Sequence, residues 1–280
     1  DLHLCDRRQR QMCIRDRVMT EPETISFIQD SYRILRRQKD MTPDNETLCR
    51  VLNRLVMTLI EKNVCTQTFC DKILNSPGIR PLVGKIRSIA QCAECEMEKY
   101  WAARFCKEPN GGINRLKTFW YYEQYRQITL NEYGFIKDLP NIRHIAFVGS
   151  GPLPMTAILL RQLGSYEIDL IDKDLKALTL SKRLCDSLNL DFGFIHAEAA
   201  QADYRRYDLV FIASMIDEKT SLVNKLHNTG IKYLIVRDAE KFSCLFYAEL
   251  EREIFQKYKI SNYHAGDNMT LNSSFLLEIQ

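Results

Sequence analysis

Gly149, Ser150, Gly151 and Pro152 follow the apolar run Ile145–Val148, and a second apolar run, Ile168–Ile171, ends in Asp172. Glycines let a backbone come close to a ligand, and an acid about twenty residues on can bond a ribose hydroxyl, so this spacing predicts a nucleotide-binding βαβ unit. The third glycine of a dinucleotide site is absent and Pro154 stands in its place, which argues against an NAD oxidoreductase. Pro152 and Pro154 suit the first turn of a helix, where no amide partner is lost. Ligands of such sheets sit at the carboxyl ends of the strands. That rule adds Glu198, Ser214 and Arg237, which follow or end the third, fourth and fifth strand-like runs. Asp172 and Glu198 suit a ribose and an adenine amine. A helix N-terminal acid and a solvated loop acid are the plainer roles open to them.

A second constellation lies earlier in the chain. At about 100° per residue, Leu82, Ile86, Ile89, Ala93, Met97, Tyr100 and Ala103 share one helical face. Glu96 falls on that face, and Glu94 and Glu98 are expected to point away. A carboxylate in an apolar stripe is costly unless paired or functional. Burial would raise its pKa toward a value useful for proton transfer; a buried salt bridge to an arginine is the alternative. The aromatic run Phe119–Tyr125 suits either a core or a sulfonium cation, which aromatic faces attract.

These candidates need two kinds of scaffold. Helices are expected from Thr20 to Leu35, from Thr42–Pro43 through Leu59, from Thr66 to Leu74, from Pro81 to about Cys106 and from Leu116 to about Tyr133. From Ile142 the pattern alternates between strands (Ile145–Val148, Ile168–Ile171, Phe192–His196, Leu209–Ala213, Tyr233–Arg237) and helices. Alternation of this kind predicts a parallel sheet covered on both faces. Tyr258–Tyr263 and Ser273–Ile279 read as a closing hairpin, as in methyltransferase-like sheets. The expected fold is α/β: an all-helical domain over 18–138, then a Rossmann-like, class I methyltransferase-type sheet with a C-terminal β-hairpin over 139–280.

Composition narrows the class. The 280 residues are 45% hydrophobic and 27% charged, ordinary for a soluble globular protein. No apolar run is long enough for a bilayer, so no membrane partner is expected. A net charge of +3 is too small to argue for nucleic acid. Residues 1–17 match no element and are expected to be a non-native leader, because Met12–Arg17 resembles a translated sequencing adapter. Met19 is the expected natural start. Ten cysteines include one CxxC, Cys92–Cys95, inside a helical pattern. Reduced cytosolic thiols packed as small hydrophobes, with no bound metal, are the expectation.

The run Gly149–Leu160 resembles the glycine loop of the nicotianamine synthases and their bacterial opine-metallophore relatives, with Pro152-Leu153-Pro154 as its particular mark. The resemblance extends from about Thr20 to the C-terminus. It implies a cytoplasmic enzyme that moves the aminobutanoyl (3-amino-3-carboxypropyl) group of S-adenosylmethionine to an amine and releases 5′-methylthioadenosine. Glu96 of Glu96-Met97-Glu98-Lys99 matches a glutamate lining the reaction chamber, and Tyr125 matches a chamber tyrosine; these become the expected catalytic pair. Arg237 matches an arginine near a substrate carboxylate. The donor would be held by Gly149, Ser150, Gly151, Pro152, Asp172, Glu198 and Ser214. Bacterial relatives transfer once to histidine, and a partner opine dehydrogenase completes the metallophore; that single transfer to an amino-acid substrate is favoured here. Plant and archaeal relatives condense several S-adenosylmethionine molecules. Glu123–Gln124 and the Asp238-Ala239-Glu240 run depart from the family pattern and leave the acceptor open. A class I methyltransferase and a nucleotide-sensing module stay as alternatives.

Overall fold

The computed structural model describes residues 19–61, 65–267 and 270–279; the expected leader lies outside them. A seven-stranded sheet forms the centre, in the order β3-β2-β1-β4-β5-β7-β6. Its strands are β1 (His144–Val148), β2 (Glu167–Asp172), β3 (Gly193–His196), β4 (Leu209–Ile212), β5 (Tyr233–Asp238), β6 (Tyr258–His264) and β7 (Ser273–Ile279). The first five are parallel, and β7 pairs antiparallel with both β5 and β6. Val148 sits opposite Ile171 on β2 and Ile212 on β4. The carboxyl ends of the central strands therefore finish level with one another. The order reverses between β1 and β4, which opens a crevice above β1.

Strand residues alternate between two covered faces. Ile145, Phe147, Leu170, Phe211 and Ile235 face a core shared with α5 (Tyr122–Ile136), α6 (Met155–Leu163) and α7 (Leu175–Ser187). Ala146, Val148, Ile212, Leu234 and Val236 face α8 (Lys219–His227) and the Leu250–Tyr258 stretch. A third core joins α1 (Glu21–Leu35), α2 (Glu46–Val56), α3 (Gln67–Leu74) and the start of α4 (Arg80–Lys107) to Phe242–Tyr247, which follow β5. The expected boundary near residue 138 is a turn, yet apolar packing crosses it. Trp101, Phe105, Leu116 and Phe119 share one core with the sheet.

Local signals set most helix ends. The Thr20 amide donates to the Glu23 carboxylate at 2.8 Å, the reciprocal half of a capping box. Thr66 Oγ1 accepts from the Phe69 amide to start α3. Two starts differ from expectation. Asn45, not Thr42, caps α2, with its Oδ1 accepting from the Leu48 amide. The helix expected from Leu116 begins at Tyr122. Before it runs a 3-10 segment, Pro109–Thr118, with Gly112 at φ 50°, and Phe119 is extended. That break lets Phe119 turn inward against Trp101 and Tyr125. Among the described residues, no helix is long and apolar enough to cross a membrane.

Candidate active site

A cavity opens at the carboxyl ends of β1, β4 and β5, with about 400 Å³ of free space including its mouth. Its sheet-side wall is Phe147, Gly149, Ser150, Ala213 and Ser214, continued by Leu153–Thr156. Glu94, Glu98 and Tyr125 form the opposite wall, and Arg237 and Met215 also line it.

The glycine loop is held by backbone bonds. The Gly149 amide donates to the Ile171 carbonyl at 2.8 Å, and the Gly151 amide donates to Asp172 Oδ2 at 2.8 Å. Asp172 Oδ1 accepts from the Asp174 amide, so one carboxylate ties the loop after β1 to the start of α7. Gly149 and Gly151 have φ of 76° and 64°, the left-handed region that favours glycine. At Gly151 a Cβ would stand 2.7 Å from Glu98 Oε2. The loop is thus glycine both for its backbone and because a carboxylate presses on it. Pro152 is buried and Pro154 occupies the N-cap position of α6. Ser150 is also buried, and its Oγ has no partner among the described residues.

The helical wall corrects the sequence expectation at α4. Glu98, not Glu96, is buried, and its Oε1 accepts from the Tyr125 hydroxyl at 2.6 Å. Glu96 is partly exposed and pairs with Lys99 at 3.1 Å, away from the cavity lining. The cause is the phase of α4. Its early turns bury Ile86 and Ala90 in the α1–α3 core, and its later turns bury Trp101, Ala102 and Phe105 against the sheet layer. At about 100° per residue, Glu94 lies along the direction of Trp101 and Phe105 and Glu98 about 40° to one side of it, and Glu96 lies nearly opposite. The apolar stripe through Ile89 and Met97 is only partly buried, so it pointed to a partly exposed glutamate and not to the buried one.

Burial pushes the Glu98 carboxyl up to about 8; the nearby Glu94 charge adds to the rise and the Tyr125 hydroxyl opposes it. Burial likewise raises Glu94, against the pull of the Tyr247 hydroxyl, which donates to its Oε2 at 2.9 Å. Burial holds Tyr125 and Tyr247 well above the ordinary tyrosine range. Each tyrosine is therefore a hydrogen-bond donor to its carboxylate.

Arg237 is on the cavity wall, but its Nε and Nη2 form a forked pair with Glu132 at 2.8 and 2.7 Å. Nη2 also donates to Thr156 Oγ1, and Ser274 donates to Glu132. The guanidinium expected to clamp a ligand carboxylate is thus committed to a protein carboxylate. Ser214 is buried in the lining. Glu198 is on an exposed turn outside that lining, where its carbonyl accepts from the Gln201 and Ala202 amides. Glu94, Glu98, Glu132 and Tyr247 were missed from sequence. Glu132 had a usable signal, since it lies a heptad after Tyr125 on α5.

The segment carrying Tyr247 is anchored from below. Asp238 Oδ1 accepts from the Leu250 amide at 2.6 Å, and the buried Lys219 ammonium donates to the Ala248 carbonyl at 2.7 Å.

Comparison with known proteins agrees with this architecture. The family model described as nicotianamine synthase protein matches residues 19–278. Nicotianamine synthase 3 of Arabidopsis thaliana is 23% identical over 268 residues, which covers 89% of this chain and 82% of that one. The nicotianamine synthase of Solanum lycopersicum is 25% identical over 260 residues, covering 85% and 78%. Among solved structures, MtNAS in complex with MTA and tNA superposes with a TM-score of 0.81 at 16% identity, over 94% of this chain and 100% of that one. A mutant of MtNAS in complex with S-adenosylmethionine gives 0.79 at 17% identity, over 91% and 97%. These two share the fold. With the family match running from the first turn of α1 to the last strand, the chain belongs to the nicotianamine synthase family.

Proposed function

We propose that this enzyme transfers the 3-amino-3-carboxypropyl group of S-adenosylmethionine to the amine of an amino acid and releases 5′-methylthioadenosine. The observation that carries this reading is the buried Glu98, bonded by the half-buried Tyr125 and closed against the glycine loop. An amine must lose a proton to act as a nucleophile. Glu98 accepts it while the nitrogen lone pair attacks the carbon next to sulfur in the aminocarboxypropyl arm. The carbon–sulfur bond breaks, its electron pair goes to sulfur, and the sulfonium leaves as a neutral thioether. A carboxyl with a pKa near 8 is basic enough to compete for an ammonium proton near neutral pH. Tyr125 fixes its orientation.

The glycine loop and Asp172 are suited to the nucleoside of the donor, with Ser150 Oγ as a further polar contact. S-adenosylmethionine carries three carbons on its sulfur, and the geometry of the site decides which one meets the nucleophile. The finer reading is a single transfer to histidine or a similar amino acid in metallophore biosynthesis. It would take place in the cytoplasm, and an opine dehydrogenase would consume the product. The experiment is mass spectrometry of products from S-adenosylmethionine and an amino-acid panel. Methylthioadenosine with a +101 Da (about one aminobutanoyl group) adduct of the acceptor is the expected result. S-adenosylhomocysteine would make the protein a methyltransferase, and several additions per product would favour nicotianamine-type condensation.

A further inference from the structure

Glu94 has no part in the transfer as described, yet it lines the cavity one helical turn before Glu98, about 6 Å along the axis. Its carboxylate is held by Tyr247, from the segment after β5, as Glu98 is held by Tyr125 from α5. Neither glutamate has a salt-bridge partner among the described residues. The arginine lining the same cavity is already neutralised by Glu132. Two acids thus face one cavity without a balancing protein cation, and one amine transfer releases a single proton. Glu98 is against Gly151 and so next to the donor loop. Glu94 is displaced from that loop toward the Tyr247 segment.

We infer that Glu94, oriented by Tyr247, binds the acceptor by a second basic group, an amine or imidazole other than the nitrogen that is alkylated. This rests on the reaction proposed above and deepens it. The spacing of the two carboxylates suits an amino acid with a basic side chain: the α-amine at Glu98, the side-chain base at Glu94. A cavity-lining carboxylate with no cation beside it discriminates against a ligand that leaves it without one, so neutral amino acids are poor acceptors.

The test is steady-state release of methylthioadenosine with two acceptor sets, histidine and 2,4-diaminobutanoate against alanine and norvaline. Wild type favours the dibasic set. Glu94→Gln raises KM for that set by roughly tenfold or more, as loss of a charged hydrogen bond does. It changes kcat far less, leaves S-adenosylmethionine affinity unchanged by calorimetry and flattens the selectivity. Tyr247→Phe moves the same readouts in the same direction by less, and it decides the matter if Glu94→Gln does not fold. An equal loss for both sets, a loss confined to kcat, weaker donor binding, or no change would each overturn the inference. If wild type releases no methylthioadenosine with any acceptor, the reaction reading itself falls and takes this inference with it.

Discussion

The two walls of the cavity are built from different materials. The sheet-side wall is mostly backbone: amides of Gly149 and Gly151 bonded to a carbonyl and a carboxylate on the neighbouring strand. The helical wall is made of side chains from separate elements, Glu94 and Glu98 from α4, Tyr125 from α5 and Tyr247 from the segment after β5. A backbone wall is fixed by strand pairing and tolerates changes in its side chains. A side-chain wall depends on how far each helix is rotated, because a shift of two residues on α4 replaces a buried acid with a partly exposed one. Binding of a common donor fits the first kind of wall, and selection of the reacting groups fits the second.

Between the walls stands the Arg237–Glu132 pair, buried at 7% and 0% side-chain exposure. It joins β5 to α5, so it holds the side-chain wall to the sheet. Removing one partner of such a pair costs about 3–5 kcal/mol, because the other is left as an uncompensated buried charge. Arg237→Ala should therefore show the largest effect, a marked fall in melting temperature, measured by calorimetry at neutral pH. An unchanged melting temperature would mean that the walls are held together elsewhere.

Glu98→Gln comes next and acts on the helical wall alone. Turnover should fall by roughly 10²–10⁴-fold, the range for general base catalysis, with donor affinity nearly unchanged. Glu96→Gln, at a partly exposed position outside the cavity lining, should stay near the wild-type rate. The reverse result would restore Glu96 as the base. Stability should move the other way. A carboxyl whose folded pKa is raised to about 8 binds more protons folded than unfolded over the interval between its ordinary value and 8. Wild type therefore loses stability as pH rises through that window. Glu98→Gln removes the loss, so its melting temperature should exceed that of wild type at pH 8 and approach it at pH 4. A gap independent of pH would show that Glu98 is not held protonated by burial.

How far each wall was legible follows from its material. The apolar runs at Ile145 and Ile168, the glycines between them and Asp172 are all local in sequence, and their order alone gives the crevice. The closing hairpin, too, was read from two runs close together in sequence, and β6 and β7 pair antiparallel. Tyr125 was found through the aromatic run and the family resemblance. Glu98 was not, because α4 serves two cores in succession and a single fixed stripe averages over both. Tyr247 could not be found from sequence, because its segment has short 3-10 turns with no period and is placed by Asp238 and Lys219 from other elements. Arg237 lines the cavity at its strand end, but its partner Glu132 is 105 residues away in sequence, and no spacing announces that.

Gly151 is where the walls touch, so Gly151→Ala tests both at once. The alanine would have to hold φ near 64° and place its Cβ against Glu98. Left-handed backbone costs a non-glycine residue about 1–2 kcal/mol, and the displaced carboxylate would lose its set relation to Tyr125. Both donor affinity and turnover should drop, turnover more. A variant with weakened binding but normal turnover at saturating donor would mean that Glu98 tolerates displacement.

Asp172→Ala should have the smallest effect and bear on the backbone wall alone. The side chain accepts the Gly151 and Asp174 amides and is placed to take ribose hydroxyls as well. Hydrogen bonds to charged groups are worth about 1.5–3 kcal/mol, so donor affinity should fall by roughly tenfold or more, read by calorimetry with S-adenosylmethionine. Turnover at saturating donor should change less, because Glu98 and Tyr125 belong to the other wall. Asp172→Asn refines the result: its amide oxygen can still accept one backbone amide, and its amide nitrogen cannot accept the second. If the asparagine variant binds like wild type, the loop bond to Gly151 is what matters and ribose recognition lies elsewhere. If both variants keep wild-type affinity while folded, the sheet-side wall binds the donor through the glycine loop without its acid.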